Sequence, residues 1–265
     1  MRQGRRLAPA EAFLLHSVAA IAIAAAFYAR VSHDDPPVRL AAIAGASVVA
    51  AALVIAWSAE ATQFYLSQGF VVAVVALLQV MPEFAVEATI SWKGEVQNMM
   101  ANATGSVRLL VGFGWSLILF TAAVSHRLRR REGTFVLRLK PEALIETAGF
   151  ALAMLWFAVV LAKRTLTLLD TGVLGGIYVL YMLALYRLPS EGKEEIHALV
   201  APARFLADDG AGRPRSRLVL LYFAIGGAAI FAVAEPFYES LKATAPALGL
   251  STFFVVQWIA PALSE

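Results

Sequence analysis

Cysteine is absent from this sequence, and charged residues are scarce. The 265 residues include no Cys, and Asp, Glu, Lys and Arg together make up 15% of them. The absence of cysteine excludes disulfides and thiolate-ligated metal sites. Soluble domains carry about 25% charged residues, so the low value argues against a soluble protein. The formal net charge of +3 is too small to indicate nucleic acid as a partner.

Signatures of ATP use and of hydrolysis are also missing. The sequence contains no G-x-x-x-x-G-K-[ST] P-loop, no H-E-x-x-H and no G-x-S-x-G. The first absence argues against ATP-driven pumping by this chain, and the other two exclude the common membrane hydrolases. The sequence therefore predicts a protein that is not an enzyme and that needs no cofactor.

Apolar residues dominate the chain instead. They make up 60% of it, and the mean hydropathy is +0.70. Crossing the hydrocarbon core takes about 20 apolar residues, and the first apolar run is long enough to be a spanning helix rather than a signal peptide. Eight segments are predicted, at roughly 12–30, 39–60, 68–91, 98–124, 142–162, 166–187, 217–235 and 249–265. The predicted fold class is an all-α membrane protein, a polytopic helical bundle.

Basic connectors predict the orientation of the chain in the membrane. Arg2, Arg5 and Arg6 precede the first segment, and residues 125–140 and 212–217 are rich in arginine. Basic loops stay on the cytoplasmic side, and eight crossings from a cytoplasmic N-terminus place both loops there. We therefore expect a multi-pass protein of the cell (inner) membrane, surrounded by the lipid bilayer.

Two stretches of the sequence resemble each other. Residues 66–81 and 250–265 match at Leu, Ser, Phe, Val, Val and Ala, and an Ala-Glu pair precedes each copy, at Glu60 and Glu235. In the predicted topology the copies run in opposite directions. Inverted-topology repeats are a recurring plan of secondary transporters. The second copy reaches only Glu265, so we expect the second repeat to be incomplete.

The repeats and connectors together predict six regions of the chain. The regions are an N-terminal helix with an external turn (1–38), a first repeat (39–124), a basic cytoplasmic loop (125–141), two connecting helices (142–188), a cytoplasmic linker with a short surface helix (189–216) and the start of the second repeat (217–265).

Two features of segment six carry structural predictions. Asp170, near the start of the segment, is interpreted as a helix cap, and Gly172, Gly175 and Gly176 predict close helix packing.

Segment three contains a proline followed by two carboxylates. Glu83 and Glu87 are four residues apart, so they share one helix face. Pro82 has no amide hydrogen, so the helix is expected to break just before Glu83. In a membrane, carbonyls freed by a break are tolerated where they line a cavity or meet other protein.

The next segment carries a second polar face, with Asn98, Asn102 and Ser106 four residues apart. The short connection ISWKGEVQ makes the two segments an antiparallel hairpin, which brings the two polar faces together. Carboxylate, amide and hydroxyl oxygens are the ligands that hard cations prefer. The sequence therefore predicts a cation-binding site formed by Glu83, Glu87, Asn102 and Ser106, with Glu83 as the metal ligand.

Other charged or polar residues are predicted to line the ion path or to form ion pairs. These residues are Glu60, Asn98, Arg108 and Glu235. Arg108 lies about 200° around the helix from Ser106, from where it could reach Glu60 or Glu146. The alternative interpretation is a buried Glu–Arg network that only holds helices together.

The hairpin resembles the first α-repeat of the sodium/calcium exchanger superfamily. The residues that carry the resemblance are Pro82-Glu83 in an apolar helix, then Asn102-Ala103-Thr104-Gly105-Ser106. The family pattern is Gly-Thr-Ser-x-Pro-Glu followed by Gly-Asn-x-x-Gly-Ser-Asn. The resemblance covers residues 60–124, and residues 230–265 resemble the beginning of the second repeat.

The resemblance implies inverted halves, alternating access and exchange of one inorganic cation against another. Glu83 then matches the family's metal-binding glutamate. This chain has Gln79 and Val80 at the family's hydroxyl positions, and Val107 at its asparagine. Three functions stay open: exchange of Na⁺ or H⁺ against Ca²⁺ or another cation, sodium/proton-type exchange, and a non-transporting membrane scaffold that retains the fold.

Overall fold

The computed structural model describes residues 9–32, 34–62, 64, 80–128, 141–187, 196, 199–209 and 214–264. Several sequence predictions lie outside these residues. They concern the three N-terminal arginines, segment three up to Gln79, the basic loop from 129 to 140, most of the linker from 188 to 198, and Glu265.

The described residues form ten helices, which we number in chain order. A π-helical segment, Arg108–Gly114, joins α4 to α5. The helices are α1 (Pro9–Val31), α2 (Pro37–Thr62), α3 (Met81–Trp92), α4 (Val96–Val107), α5 (Trp115–Leu128), α6 (Pro141–Lys163), α7 (Leu168–Arg187), α8 (Ala201–Ala207), α9 (Ser216–Ala247) and α10 (Thr252–Ser264).

Six stretches among the described residues are long and apolar enough to cross a membrane. Their mean hydropathies lie between 1.7 and 2.3, and the run from α4 through α5 counts as one stretch. They correspond to predicted segments one, two, four, five, six and seven, so the polytopic all-α fold is confirmed. Segment eight forms α10, an apolar helix of 13 residues that is shorter than a full span.

Helix α9 extends beyond the predicted end of segment seven at residue 235. It runs to Ala247 although Pro236 lies inside it. A proline at position 236 removes the hydrogen bond to the carbonyl of Ala232. The Nη1 atom of Arg30, at the end of α1, donates to that carbonyl at 2.9 Å. An arginine from a neighbouring helix thus replaces the missing donor, so the helix continues past the proline.

The chain divides into two compact units. The first comprises Met1–Leu66, Val75–Ile118 and Lys193–Glu265, and the second comprises Ser67–Val74 and Leu119–Gly192. Helices α6 and α7 of the second unit pack against each other. The first unit contains the residues that the sequence analysis assigned to the cation site.

In the second unit, a buried carboxylate caps the start of α7. The Oδ2 atom of Asp170 accepts hydrogen bonds from the backbone N–H of Thr167 at 2.8 Å and from Lys163 Nζ at 2.8 Å. The bond to the Thr167 N–H is one half of a capping box, and the predicted capping role of Asp170 is confirmed. No described atom lies within 4 Å of a Cβ placed at Gly172, Gly175 or Gly176, so the close packing predicted there stays a prediction.

Small residues bring α2 and α9 together in the first unit. A Cβ atom at Gly226 would lie 2.7 Å from Ile55 Cγ1 and 3.2 Å from the carbonyl oxygen of Ala51. In lipid, van der Waals packing of close backbones replaces the hydrophobic effect between helices. Gly226 therefore sets the distance between α2 and α9, which together with α1 form the central bundle of this unit.

The linker before α9 contains the predicted short helix, α8, but this helix is not on the surface. Leu199, Ala203 and Leu206 are at most 5% exposed, in a cluster with residues of α1, α2 and α9. Arg204 Nε lies 3.1 Å from Glu11 Oε1 of α1. The apolar face of A-P-A-R-F-L-A explains the difference, because a seven-residue helix gains stability mainly by burying such a face.

Replacing Gly226 by alanine tests the α2–α9 packing. We expect Gly226→Ala to destabilise the protein by about 1–3 kcal/mol, the usual cost of overpacking, because Ile55 and the backbone of α2 must move. Thermal unfolding of the purified protein in detergent measures the effect.

The neighbouring glycine provides the matched control. A Cβ at Gly227 would meet only Met81 Sδ, at 3.5 Å, among the described atoms. Gly227→Ala should therefore leave the unfolding temperature unchanged or raise it, because alanine favours helix by about 1 kcal/mol over glycine. Equal losses in the two variants would contradict the role given to Gly226.

Candidate functional site

The hairpin expected from the sequence is formed by α3 and α4. Helix α3 begins at Met81, with Pro82 in its first turn, where a missing amide hydrogen costs nothing. Glu83 follows in the same turn, where the helix dipole favours a negative charge. Gly94, with φ +70°, lies in the turn that leads to α4, so the two helices are antiparallel. The proline thus places Glu83 and Glu87 at the beginning of a helix that faces α4.

Glu87 and Asn102 meet between the two helices. The Nδ2 atom of Asn102 donates a hydrogen bond to Glu87 Oε1 at 3.0 Å. Asn102 is fully buried, whereas Glu83 and Glu87 are each half-buried. Because a carboxylate only accepts hydrogen bonds, the amide must turn its nitrogen toward Glu87. This orientation points the amide oxygen away from Glu87.

Two buried oxygens beside Glu87 have no hydrogen-bond partner among the described residues. They are Oδ1 of Asn102 and Oγ of Ser106, and these residues are 0% and 3% exposed. The residues lie one turn apart on the same face of α4. A buried oxygen without a partner costs about 1–3 kcal/mol, so this pair is a place where the described part of the chain can accept a ligand. A third such oxygen, Oε2 of Glu11, lies on α1.

Asn98 belongs to a different group of residues. Its Nδ2 atom donates to Glu95 Oε2 at 2.7 Å and to Tyr238 Oη at 2.8 Å. Lys242 Nζ of α9 lies 2.5 Å from Glu95 Oε1. The structure therefore divides the predicted polar face of α4, with Asn98 bound at the hairpin turn and Asn102 and Ser106 bordering Glu87.

Ion pairs also hold the hairpin turn to α9. Lys93 Nζ lies 3.0 Å from Glu235 Oε1 and 2.9 Å from Glu239 Oε1. Glu235, predicted to line the ion path or to form an ion pair, is thus an exposed ion-pair residue. Glu60, the equivalent position in the first copy, is half-buried near the end of α2.

Arg108 lies at the start of the π-helical segment and contacts an aromatic ring. Its guanidinium carbon lies 5.1 Å from the centroid of Trp258 in α10. This cation–π contact is a partner that the sequence pattern did not show, because spacing along the chain does not reveal which aromatic ring is near. The role of Arg108 in the ion path or in an ion pair stays a prediction.

Helix α10 packs closely against α4 at Gly105. A Cβ atom there would lie 2.1 Å from the carbonyl oxygen of Gln257. Pro261 has no N–H to bond to that carbonyl, so the contact is made by a carbonyl that its own helix leaves free. Gly105, predicted from the family pattern, is therefore required by the backbone of α10.

The sequence analysis missed several residues near the site. They are Glu95, Tyr238, Lys242 and Gln257. Pro261 within an apolar run was a usable signal for a free carbonyl at Gln257. Tyr238 and Lys242, four apart on α9, gave no signal of a partner more than 140 residues away in the sequence.

The carboxylate of Glu95 should make stability depend on pH. The hydrogen bond from Lys242, with smaller contributions from Tyr238 and Asn98, lowers the pKa of Glu95 to about 2. Because the folded-state pKa is lowered, the stabilising contribution is complete above the usual glutamate pKa of about 4.3 and is lost as the pH falls toward 2. Glu95→Gln should therefore remove part of the acid destabilisation measured by thermal unfolding between pH 7 and 3.

Glu146→Gln, in the second unit, is the control for the loss of one carboxylate. The pH profile of Glu95→Gln is compared with the profile of this variant. A Glu95→Gln profile parallel to that of the unmodified protein would show that the Glu95 contacts do not contribute to stability.

Comparison with known proteins identifies the family. No curated protein matches the sequence. The chain is similar to the crystal structure of the H⁺/Ca²⁺ exchanger CAX, with 29% identity and a TM-score of 0.84. The match covers 97% of this chain and 64% of that one. The model of the family described as "Sodium/calcium exchanger protein" matches residues 37–187, more than half of the sequence. The chain therefore belongs to the sodium/calcium exchanger family.

Proposed function

We propose that this chain is a secondary active cation antiporter of the sodium/calcium-exchanger type, which exchanges Na⁺ or H⁺ against Ca²⁺ or another cation by alternating access. Glu83, Glu87, Asn102 and Ser106 supply one half of the cation site in this proposal. The observation that carries it is the pair of buried, unpartnered oxygens on Asn102 and Ser106, next to the Glu87 carboxylate.

The chemistry of these four residues suits a hard cation. Carboxylate, amide and hydroxyl oxygens are the donors that sodium and calcium take. The hydrogen bond to Glu87 fixes the Asn102 amide, so its free oxygen needs no reorientation when a cation binds. The described residues hold no cluster of three or more Asp, Glu, His or Cys side chains, which agrees with a site that needs donors from a second half.

The paired carboxylates explain how one cation can drive the release of another. Glu83 and Glu87 lie one turn apart on α3, and like charges at this spacing repel each other. A metal cation, a sodium ion or a proton at either carboxylate relieves the repulsion, so these cations compete for the same place. The similarity to an H⁺/Ca²⁺ exchanger supports including the proton among the competing cations.

The surroundings of the site fit the transporter plan. A cytoplasmic N-terminus and inverted repeats remain part of this proposal, as does a cell-membrane location. The scaffold alternative relied on a buried Glu–Arg network, whereas Arg108 is exposed and its guanidinium contacts Trp258. No observation among the described residues favours that alternative.

Cation flux through proteoliposomes that contain the full-length protein tests the proposal. Uptake of Ca²⁺ is measured under a sodium gradient and, separately, under a pH gradient. We expect Glu83→Gln and Glu87→Gln each to lower the flux at least about tenfold, because the loss of one charge–cation contact costs about 1.5–3 kcal/mol.

The control for the flux experiment is Glu146→Gln, which removes an exposed carboxylate of the second unit. This variant should transport like the unmodified protein. Unchanged flux in Glu83→Gln would contradict its assignment as the metal ligand. Absence of flux with every cation pair in the unmodified protein would contradict the antiporter and favour the scaffold.

The Ser106 hydroxyl offers a test that does not require transport. Because its Oγ has no partner among the described residues, Ser106→Ala should not lower the unfolding temperature measured without added cation. The rise of that temperature on adding Ca²⁺ or Na⁺ should shrink, because weaker binding reduces the stabilisation by ligand.

Ser58 is the matched control for Ser106. It is also a fully buried serine, but its Oγ donates to the Val54 carbonyl at 2.8 Å. Ser58→Ala should keep the full cation-dependent rise in unfolding temperature. If Ser106→Ala and Ser58→Ala both retain that rise, Ser106 is not a cation ligand.

A further inference from the structure

Tyr238 of α9 lies between the hairpin turn and the proposed cation oxygens. The tyrosine is fully buried, and its hydroxyl donates to Glu95 Oε2 and accepts from Asn98 Nδ2. Asn98 lies one turn before Asn102 on the same face of α4. The Tyr238 hydroxyl is therefore bonded about one helical turn from Asn102, on the side of the hairpin turn.

We propose that Tyr238 is a gate that closes the cation site toward the hairpin turn, and that ion pairs between the turn and α9 hold it shut. The proposal rests on the proposed function, because it assigns the tyrosine to the access path of that site. Asn102, one turn farther from the hairpin turn than Asn98, is 0% exposed, as expected for a site that is closed.

The ion pairs form a continuous belt across the two elements. Positions 235, 238, 239 and 242 share one face of α9. Lys93 bridges Glu235 and Glu239, while Lys242 lies 2.5 Å from Glu95 and 3.8 Å from Glu239. The turn contributes one cation and one anion, and α9 contributes their counterparts. The charges therefore specify one register of the hairpin on α9, and this register holds the Tyr238 hydroxyl on Asn98, one turn from Asn102.

The charged groups of the belt can separate in water. Their side chains are between 26% and 54% exposed, so water can replace each partner, and exposed pairs of this kind cost less to break than buried ones. The α2–α9 contact at Gly226 is close-packed and has no such freedom. Pro236, between Gly226 and Tyr238, interrupts the backbone hydrogen bonding of α9. Pro236 is therefore a point where α9 can bend, and opening the gate must also move Tyr238 out of the packed core.

Accessibility of a reporter cysteine tests the gate without any need for transport. The chain has no native cysteine, so Ser106→Cys introduces a single thiol behind Tyr238. The protein is reconstituted in liposomes, and a charged, membrane-impermeant maleimide is added on the side from which Gln97→Cys reacts. We expect slow labelling of the reporter, and at least about tenfold faster labelling when Glu95→Gln or Tyr238→Ala is added, which corresponds to ~1.4 kcal/mol.

A second tyrosine–carboxylate group gives the matched control. At the α1–α2 turn, Tyr28 donates to Asp35, which also pairs with Arg39 at 3.4 Å. Asp35→Asn should leave the labelling rate of the reporter unchanged. Tyr238→Phe keeps the ring and removes only the hydroxyl, so it should accelerate labelling and provides a result if Glu95→Gln does not fold.

Two results would overturn the gate. One is an unchanged labelling rate in all folded variants of Glu95 and Tyr238. The other is an equal acceleration by Asp35→Asn, which would indicate general loosening of the protein. Missing cation flux in the unmodified protein contradicts the proposed function instead, since labelling proceeds without transport.

Discussion

A polar atom inside a lipid bilayer has no water to bond, so it must find a partner within the protein. The prolines inside the helices show how this constraint shapes the first unit. Pro236 frees the carbonyl of Ala232, and Arg30 of α1 donates to it. Pro261 frees the carbonyl of Gln257, and Gly105 lets α4 approach it closely. Each freed carbonyl therefore determines which helix lies beside it.

Against this background, the few unsatisfied atoms are informative. The unpartnered oxygens of Asn102 and Ser106 lie next to a carboxylate, in the part of the hairpin that the proline of α3 positions. The hairpin turn shows the opposite arrangement, with every carboxylate oxygen of Glu95 bound by Asn98, Tyr238 or Lys242. One end of the hairpin is thus held by complete bonding, and the other retains the capacity to bind a cation.

Much of the fold followed from hydropathy and local residue chemistry. Apolar length alone predicted six spans that the structure confirms, and the position of Asp170 near the start of its segment predicted the cap of α7. The polar face of α4 was predicted from its spacing, but its division between Asn98 and Asn102 was not. Spacing defines which side chains share a face, whereas Tyr238, which binds Asn98, comes from a distant helix.

The sequence by itself determined that the chain spans a membrane and which family it belongs to, because both depend on residue type and on short spacings. Only the tertiary structure decided the partners of the charged groups: Trp258 for Arg108, Lys242 for Glu95, and Lys93 for Glu235. The physical reason is that a charge in a helix bundle has several possible partners, and the spacing of residues along the sequence does not distinguish between them. Close backbone packing at Gly105 and Gly226 selects among them.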